Sequence, residues 1–167
     1  MRLADKVAII TGGGGAGIGH AIARRFGQEG CAVVVSDINQ AGAAAVAAEV
    51  QSNGGRAVSL QVDASNGDEV RALVDLAIAT YGRLTTVVNC AAMATVKYLH
   101  EIDEAEWRRT IDGCLTSVYL TAHYALPHLM AAGRAAGPSI TSISSANGVV
   151  TNPHFGGYSA GKAGILG

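Results

Sequence analysis

Apolar residues along this chain fall into two alternating textures. Short unbroken runs read as buried strands: Val7-Ala8-Ile9-Ile10, Ala32-Val33-Val34-Val35, Ala57-Val58-Ser59-Leu60, Thr86-Val87-Val88-Asn89 and Ser139-Ile140-Thr141-Ser142-Ile143. Between them apolar positions recur at helical spacing. Val70, Leu73, Val74, Ala77, Ile78 and Tyr81 form one stripe. Asp68 and Glu69 favour its N-terminal end, and Gly82 stops it. Ile18, Ile22 and Phe26 predict a helix over 17–29, and an alanine-rich helix over 40–51 ends at Asn53-Gly54-Gly55. A longer helix starts at Asp103, where Asp103 and Glu106 suit a capping box. Its stripe runs Trp107, Ile111, Leu115, Val118, Ala122 and Leu126 until Pro127 disturbs it. A last helix begins near Tyr158 and is still running at Gly167.

Strands that alternate with helices imply a parallel sheet covered on both faces, the α/β class. Right-handed crossovers make it a Rossmann-like, doubly wound sheet. Such sheets bind ligands beyond the carboxyl ends of their strands. The length suits a single domain over 1–167, with no linker or repeat.

Composition narrows the function classes. With 49% hydrophobic and 15% charged residues, the chain is not of the disordered type. A net charge of -1 without a basic run argues against nucleic acid or anionic membrane as partner. Cys31, Cys90 and Cys114 are odd in number and widely spaced, which speaks against a disulfide framework, and no Cys or His pair has zinc-site spacing. No apolar stretch approaches the ~20 residues of a membrane span. The four-residue apolar run within residues 1–10 is too short for a signal-peptide core. These features predict a soluble, cytoplasmic protein without a metal.

Candidate chemistry begins where the first strand runs into Thr11-Gly12-Gly13-Gly14-Gly15-Ala16-Gly17-Ile18-Gly19. Glycines between a strand and a helix let backbone approach a pyrophosphate, and the helix offers unpaired N–H groups. The run fits two glycine registers, Gly12/Gly14/Gly17 and Gly13/Gly17/Gly19. The second strand ends at Asp37, twenty residues after Gly17. A carboxylate there suits the adenosine ribose hydroxyls and repels a 2′-phosphate, and neither Ile38 nor Asn39 offers a compensating cation. The cofactor expected is therefore NAD rather than NADP. The bland alternative is that Asp37 caps the next helix. Asp63, before Ala64, suits the adenine amino group or a turn equally.

Tyr158-Ser159-Ala160-Gly161-Lys162 puts a phenol and an ammonium four apart, on one helical face. A nearby ammonium favours phenolate, so Tyr158 can exchange a proton with an alcohol or carbonyl oxygen. Lys162 can also hold a nicotinamide ribose. Ser145, at the end of the fifth strand and thirteen residues before Tyr158, offers a hydroxyl to the substrate oxygen. Met93, Asn147, His154 and Phe155 are candidates to face the substrate.

Taken together, the glycine loop, Asp37, Asp63, Asn89-Cys90-Ala91-Ala92, Trp107, Ser144-Ser145 and the Tyr158/Lys162 pair resemble the short-chain dehydrogenase/reductase family along the whole chain. The resemblance implies a three-layer α/β/α sandwich with strand order 3-2-1-4-5. It implies Tyr158 as acid/base, Lys162 as its tuner and Ser145 as the substrate-orienting hydroxyl. It implies a cofactor site of Gly13, Gly17, Ile18, Gly19, Asp37, Asp63, Ala64, Asn89 and Ala91 with Tyr158 and Lys162. It also implies an alcohol or ketone substrate and a homodimer or homotetramer. The chain departs from the family pattern in a glycine loop one residue longer, in Cys90-Ala91-Ala92 where Asn-Ala-Gly is usual, and in Cys114 where an asparagine usually supports a proton relay to the lysine. The family's last two strands and substrate-capping helices find no counterpart in these residues. The expectation is an NAD-dependent alcohol or carbonyl oxidoreductase whose 167 residues are C-terminally incomplete. Two other readings compete: a catalytically impaired nucleotide-binding protein on the same fold, and another Rossmann-like enzyme such as a methyltransferase.

Overall fold

A computed structural model describes residues 1–167. Five parallel strands lie in the order β3-β2-β1-β4-β5: β1 (Val7–Thr11), β2 (Ala32–Asp37), β3 (Arg56–Gln61), β4 (Thr86–Asn89) and β5 (Ser139–Ser142). The helices are α1 (Ile18–Gln28), α2 (Gln40–Ser52), α3 (Gly67–Tyr81), α4 (Glu104–Ile111), α5 (Ser117–Ala132) and α6 (Gly156–Gly164). Successive strand side chains point to opposite faces, and the core divides accordingly. Ala8, Ile10, Val33 and Val35 pack with Ala23 of α1 and Ala43, Val46 and Val50 of α2. Ile9, Val34 and Val87 pack with Val70, Leu73 and Ala77 of α3 and Ala125 and Leu129 of α5. This is the expected three-layer Rossmann-like sandwich, and β1 has the crossovers departing to either side of it.

The local punctuation acts where its chemistry allows. Asp103 accepts from Glu106 N at 2.8 Å while Glu106 Oε2 accepts from Asp103 N at 3.2 Å, closing the capping box of α4. Asn66 caps α3 by accepting from Asp68 N, and Gly82 ends it in a left-handed conformation, φ 75°.

Three sequence expectations are corrected. The α4–α5 stripe does not face the core. Trp107 and Leu126 are exposed, and the buried seam is Thr110, Cys114, Ser117, Thr121, Ala125 and Leu129. A π-helical turn, Asp112–Thr116, separates α4 from α5, and α5 lies so close to the sheet that Thr121 Oγ1 reaches Asn89 Oδ1 at 2.7 Å. Close approach selects small side chains for the seam from Thr110 to Ala125, whatever their polarity. Second, α5 runs through Pro127 to Ala132. Pro127 and His123 both lie on the exposed side, so the carbonyl that loses its helical donor faces water. Third, α6 ends at Gly164, because Leu166 N turns back to the Ala163 carbonyl at 2.9 Å.

Candidate active site

The strand register fixes where the site forms. Thr11 stands beside Ser36 and Asn89, and Asn89 beside Ser142, so four strands end level. Beyond them opens a cleft of about 490 Å³ walled by the glycine loop, Asp37, Asp63, residues 90–93 and Ile143. No group of three or more His, Cys, Asp or Glu residues comes together as a metal site.

The glycine loop is held on both sides. Gly12 has φ +65°, and a Cβ there would come within 2.7 Å of Ala91 N. A Cβ on Gly19 would collide with the Gly12 carbonyl, so α1 starts directly against the loop. Thr11 Oγ1 accepts from Cys90 N at 3.3 Å and Ala91 N at 3.2 Å, which ties the loop after β4 to the end of β1. Gly17, Ile18 and Gly19 line the cleft, as do Gly12 and Gly15. Gly13 turns inward: its N–H donates to the Ser36 carbonyl at 3.0 Å, and a Cβ on it would meet Val35.

Asp37 stands in the cleft wall beside exposed Ile38. Its Oδ2 accepts from Gly14 N and its Oδ1 from Asn39 N, both at 2.9 Å. The carboxylate therefore also anchors the long glycine loop. Asn39, not Asp37, caps α2, by accepting from Gly42 N. Arg25 is paired with Glu29 at the far end of α1. Asp63 and Ala64 line the same cleft, with Asp63 Oδ1 accepting from Ser65 N and Ser65 Oγ in a tight turn. Asn89 does not line it. Its amide is buried and bridges Thr121 to Ser142 Oγ, while Cys90 and Ala91 form the wall.

The second half of the site comes from α6 and the end of β5. Lys162 is 2% exposed, and its Nζ donates to the Ile143 carbonyl at 2.6 Å. Ile143 itself walls the cleft. Burial holds the Lys162 ammonium below the ordinary lysine range, opposed by the neighbouring Cys114 and Cys90. The ammonium lies 5.7 Å from the centre of the Tyr158 ring, which packs edge-on against Phe155. Ser145 Oγ accepts from Asn147 N at 3.2 Å, so its own proton remains to be donated. Cys114 is fully buried in the π turn. Its thiol donates to the Met93 carbonyl at 3.0 Å and its Cβ abuts Gly161, one residue from Lys162. Burial also pushes the Cys90 thiol up.

Of the other candidates, Met93 lines the cleft. His154 adopts φ 71°, uncommon for a residue with a Cβ, with its carbonyl accepting from Lys97 N and its ring 4.1 Å from that of Tyr98. Residue type alone points to no role for the Ile143 carbonyl, for Gly113 in the cleft wall or for Ser144, whose hydroxyl donates to the Lys162 carbonyl at 2.8 Å. A backbone acceptor leaves no mark on residue type, and Ser144 reads as an ordinary loop serine.

Residues 6–167 match the family model described as short chain dehydrogenase. This chain belongs to the short-chain dehydrogenase family. It is 36% identical over 98% of its length to cyclohexanol dehydrogenase from Acinetobacter sp. strain SE19 and 42% identical over 97% to cis-4-hydroxycyclohexanecarboxylate dehydrogenase from Sinomonas cyclohexanicum. A crystal structure assigned to the short-chain dehydrogenases/reductases, from Burkholderia xenovorans, superimposes with a TM-score of 0.90 at 33% identity, covering 99% of this chain and 66% of that one. The chain spans 64% of the length of each of the two curated relatives. Within the short-chain dehydrogenase family the methyltransferase reading has no place. No helix is long and apolar enough to cross a membrane.

Proposed function

We propose that this short-chain dehydrogenase is an NAD-dependent oxidoreductase that interconverts a cyclic secondary alcohol and its ketone, with Tyr158 as the general acid/base. The observation that carries the reading is the Tyr158 ring 5.7 Å from a buried ammonium whose carbonyl partner, Ile143, walls the glycine-loop cleft. The cleft fits a dinucleotide: glycines stand where a Cβ would meet backbone, and carboxylates stand along its wall. The pyrophosphate is assigned to the loop and the start of α1, the adenosine ribose to Asp37, adenine to Asp63 and Ala64, and the nicotinamide end to residues 90–92 with Lys162. Bound nicotinamide supplies the hydride acceptor for alcohol oxidation and the donor for the reverse.

The chain's own residues handle position and the proton. Ser145 donates a hydrogen bond to the substrate oxygen, keeping its proton, and so orients it. Tyr158 takes the alcohol proton in oxidation and returns it in reduction. The Lys162 ammonium, desolvated and fixed by Ile143, stabilises the phenolate more strongly than it would in water. The ring-alcohol class follows the names of the relatives, cyclohexanol and hydroxycyclohexanecarboxylate dehydrogenases, and suits the apolar Met93 and Phe155 near the site. Nicotinamide absorbance with cyclohexanol and cyclohexanone tests the reading, and no turnover on a panel of ring alcohols and ketones overturns it. An outward apolar face on α5, with Tyr119 60% and Met130 76% exposed, supports a homo-oligomer.

NAD(H) is expected to bind more tightly than NADP(H). Asp37→Ala should weaken NAD(H) and narrow the preference. Because Asp37 also holds Gly14 and Asn39, the ratio of the two affinities is the quantity to measure, since loosening of the loop cancels in it. Native protein that prefers NADP(H) would sink the assignment.

Cys114→Asn is expected to raise turnover or shift its pH optimum. A thiol is a weak donor and weak acceptor, whereas an amide has both strong functions beside Met93 and Lys162. An unchanged pH–rate profile would assign this position to packing against Gly161 alone.

A further inference from the structure

Just beyond the end of β5, Ile143 and Ser144 meet α6 at two different points, and Ser145 follows them directly. The Ile143 carbonyl accepts from the Lys162 ammonium at 2.6 Å. The Ser144 hydroxyl donates to the Lys162 carbonyl at 2.8 Å. Ser145 is the hydroxyl assigned above to the substrate oxygen. Lys162 is thus held at both ends, side chain and backbone, by adjacent residues of one segment. Its carbonyl lies in the last turn of α6, where carbonyl groups have no donor within the helix. Ser144 supplies that donor from outside. Gly148 closes the space beside it: a Cβ there would stand 2.8 Å from the Lys162 carbonyl oxygen and 3.1 Å from Ser144 Oγ.

We propose that Ser144 is a positioning residue: its hydroxyl fixes α6 against the end of β5 and so sets the Lys162 ammonium and the Tyr158 phenol relative to Ser145. The proposal rests on the roles assigned above to Tyr158, Lys162 and Ser145. The groups that face the Lys162 ammonium are the Ile143 carbonyl just after β5, Cys90 after β4, Cys114 in the π turn and Tyr158 on its own helix. Without the Ser144 bond the last turn of α6 is released, water reaches the ammonium, and its electrostatic hold on the phenol weakens. Misplacement of about 1 Å in a reacting group can cost as much as ~10²-fold in rate, so a helix displaced by less has a measurable effect.

Ser144→Ala, Ser144→Thr and Gly148→Ala test this. Ser144→Ala should lower kcat about tenfold while leaving KM for the alcohol within about twofold. The acid limb of the kcat profile for alcohol oxidation should move to higher pH. Ser144→Thr keeps the hydroxyl and should restore both. Gly148→Ala presses on the same carbonyl from the other side and should reproduce the Ser144→Ala signature. A readout independent of turnover is the Lys162 resonance, identified by its loss in Lys162→Met. In cofactor-free protein, lysine-selective ¹³C NMR should show the Lys162 titration in Ser144→Ala moving up toward the ordinary lysine range. If Ser144→Ala lowers only the melting temperature, with kcat, pH profile and Lys162 titration unchanged, Ser144 is structural and the proposal is overturned. Tyr158→Phe run in parallel separates the two levels. An inactive Tyr158→Phe beside a native-like Ser144→Ala sinks this proposal alone, whereas an active Tyr158→Phe sinks the reading beneath it.

Discussion

Tyr158→Phe is expected to lose ~10²–10⁴ in kcat, the range that general acid–base catalysis supplies. The substitution removes one oxygen and leaves the ring in its edge-on contact with Phe155, 5.9 Å between centroids. Lys162 keeps its bond to Ile143, and the glycine loop and Asp37 are untouched. Cofactor affinity should therefore stay close to native, measured by direct titration beside initial rates on the ring-alcohol panel. Loss of cofactor binding in parallel with turnover would point to a folding defect. Native turnover in this variant would remove Tyr158 from the mechanism.

Lys162→Met is the second large effect, and it separates stability from activity. Turnover should fall by a similar ~10²–10⁴, because the phenolate loses its only assigned stabilising charge. Nicotinamide cofactor affinity should fall as well, since Lys162 is assigned the nicotinamide ribose. Stability should not follow. Removing a buried ammonium relieves desolvation, while stranding the Ile143 carbonyl costs about 1–3 kcal/mol, so the two largely offset at neutral pH. The pH dependence gives the sign. Burial lowers the folded-state titration of Lys162 below its ordinary 10.5. Between those two values the unfolded chain binds more protons than the folded one, so native stability from this group rises with pH. The penalty is fully present below the folded-state value and has been relieved by 10.5. Subtracting the Lys162→Met unfolding profile from the native one should expose that alkaline rise. Equal profiles would mean that the ammonium is not desolvated as the structure has it.

The relation between α4, α5 and the sheet shows why some of this architecture resists reading. The apolar stripe through Trp107 and Leu126 has correct helical spacing and the wrong face. The seam that is buried carries Thr110, Ser117 and Thr121, whose hydroxyls are satisfied within the protein: Thr110 and Ser117 donate to carbonyls one turn back, and Thr121 also to Asn89. A polar side chain that finds its partner on burial looks solvent-facing in a hydrophobic pattern. Asn89 stands at the strand end where a ligand is expected, and its side-chain amide is taken up by Thr121 and Ser142, which leaves only its backbone for a ligand.

What the sequence determined by itself was local or periodic. Alternating strand and helix patterns specified the layered parallel sheet, because a strand buried on both faces and an amphipathic helix have distinct apolar periods. Caps such as Asp103 with Glu106 marked helix ends, because their bonds span only three residues. Tyr158 and Lys162 shared a face because helical geometry alone puts them there. The tertiary structure decided everything that depends on how distant segments meet. It turned Gly13 toward Val35 and left Gly17 to Gly19 in the cleft. It set Gly14 on the Asp37 carboxylate and placed Cys114 against Gly161. It brought Ile143 and Ser144 to α6, so that Lys162 became a buried charge gripped at both ends. These contacts follow from strand register and helix-to-sheet distance, which no single segment encodes. A residue's type therefore fixed what chemistry it could offer, and packing fixed whether that chemistry faced the cleft or the core.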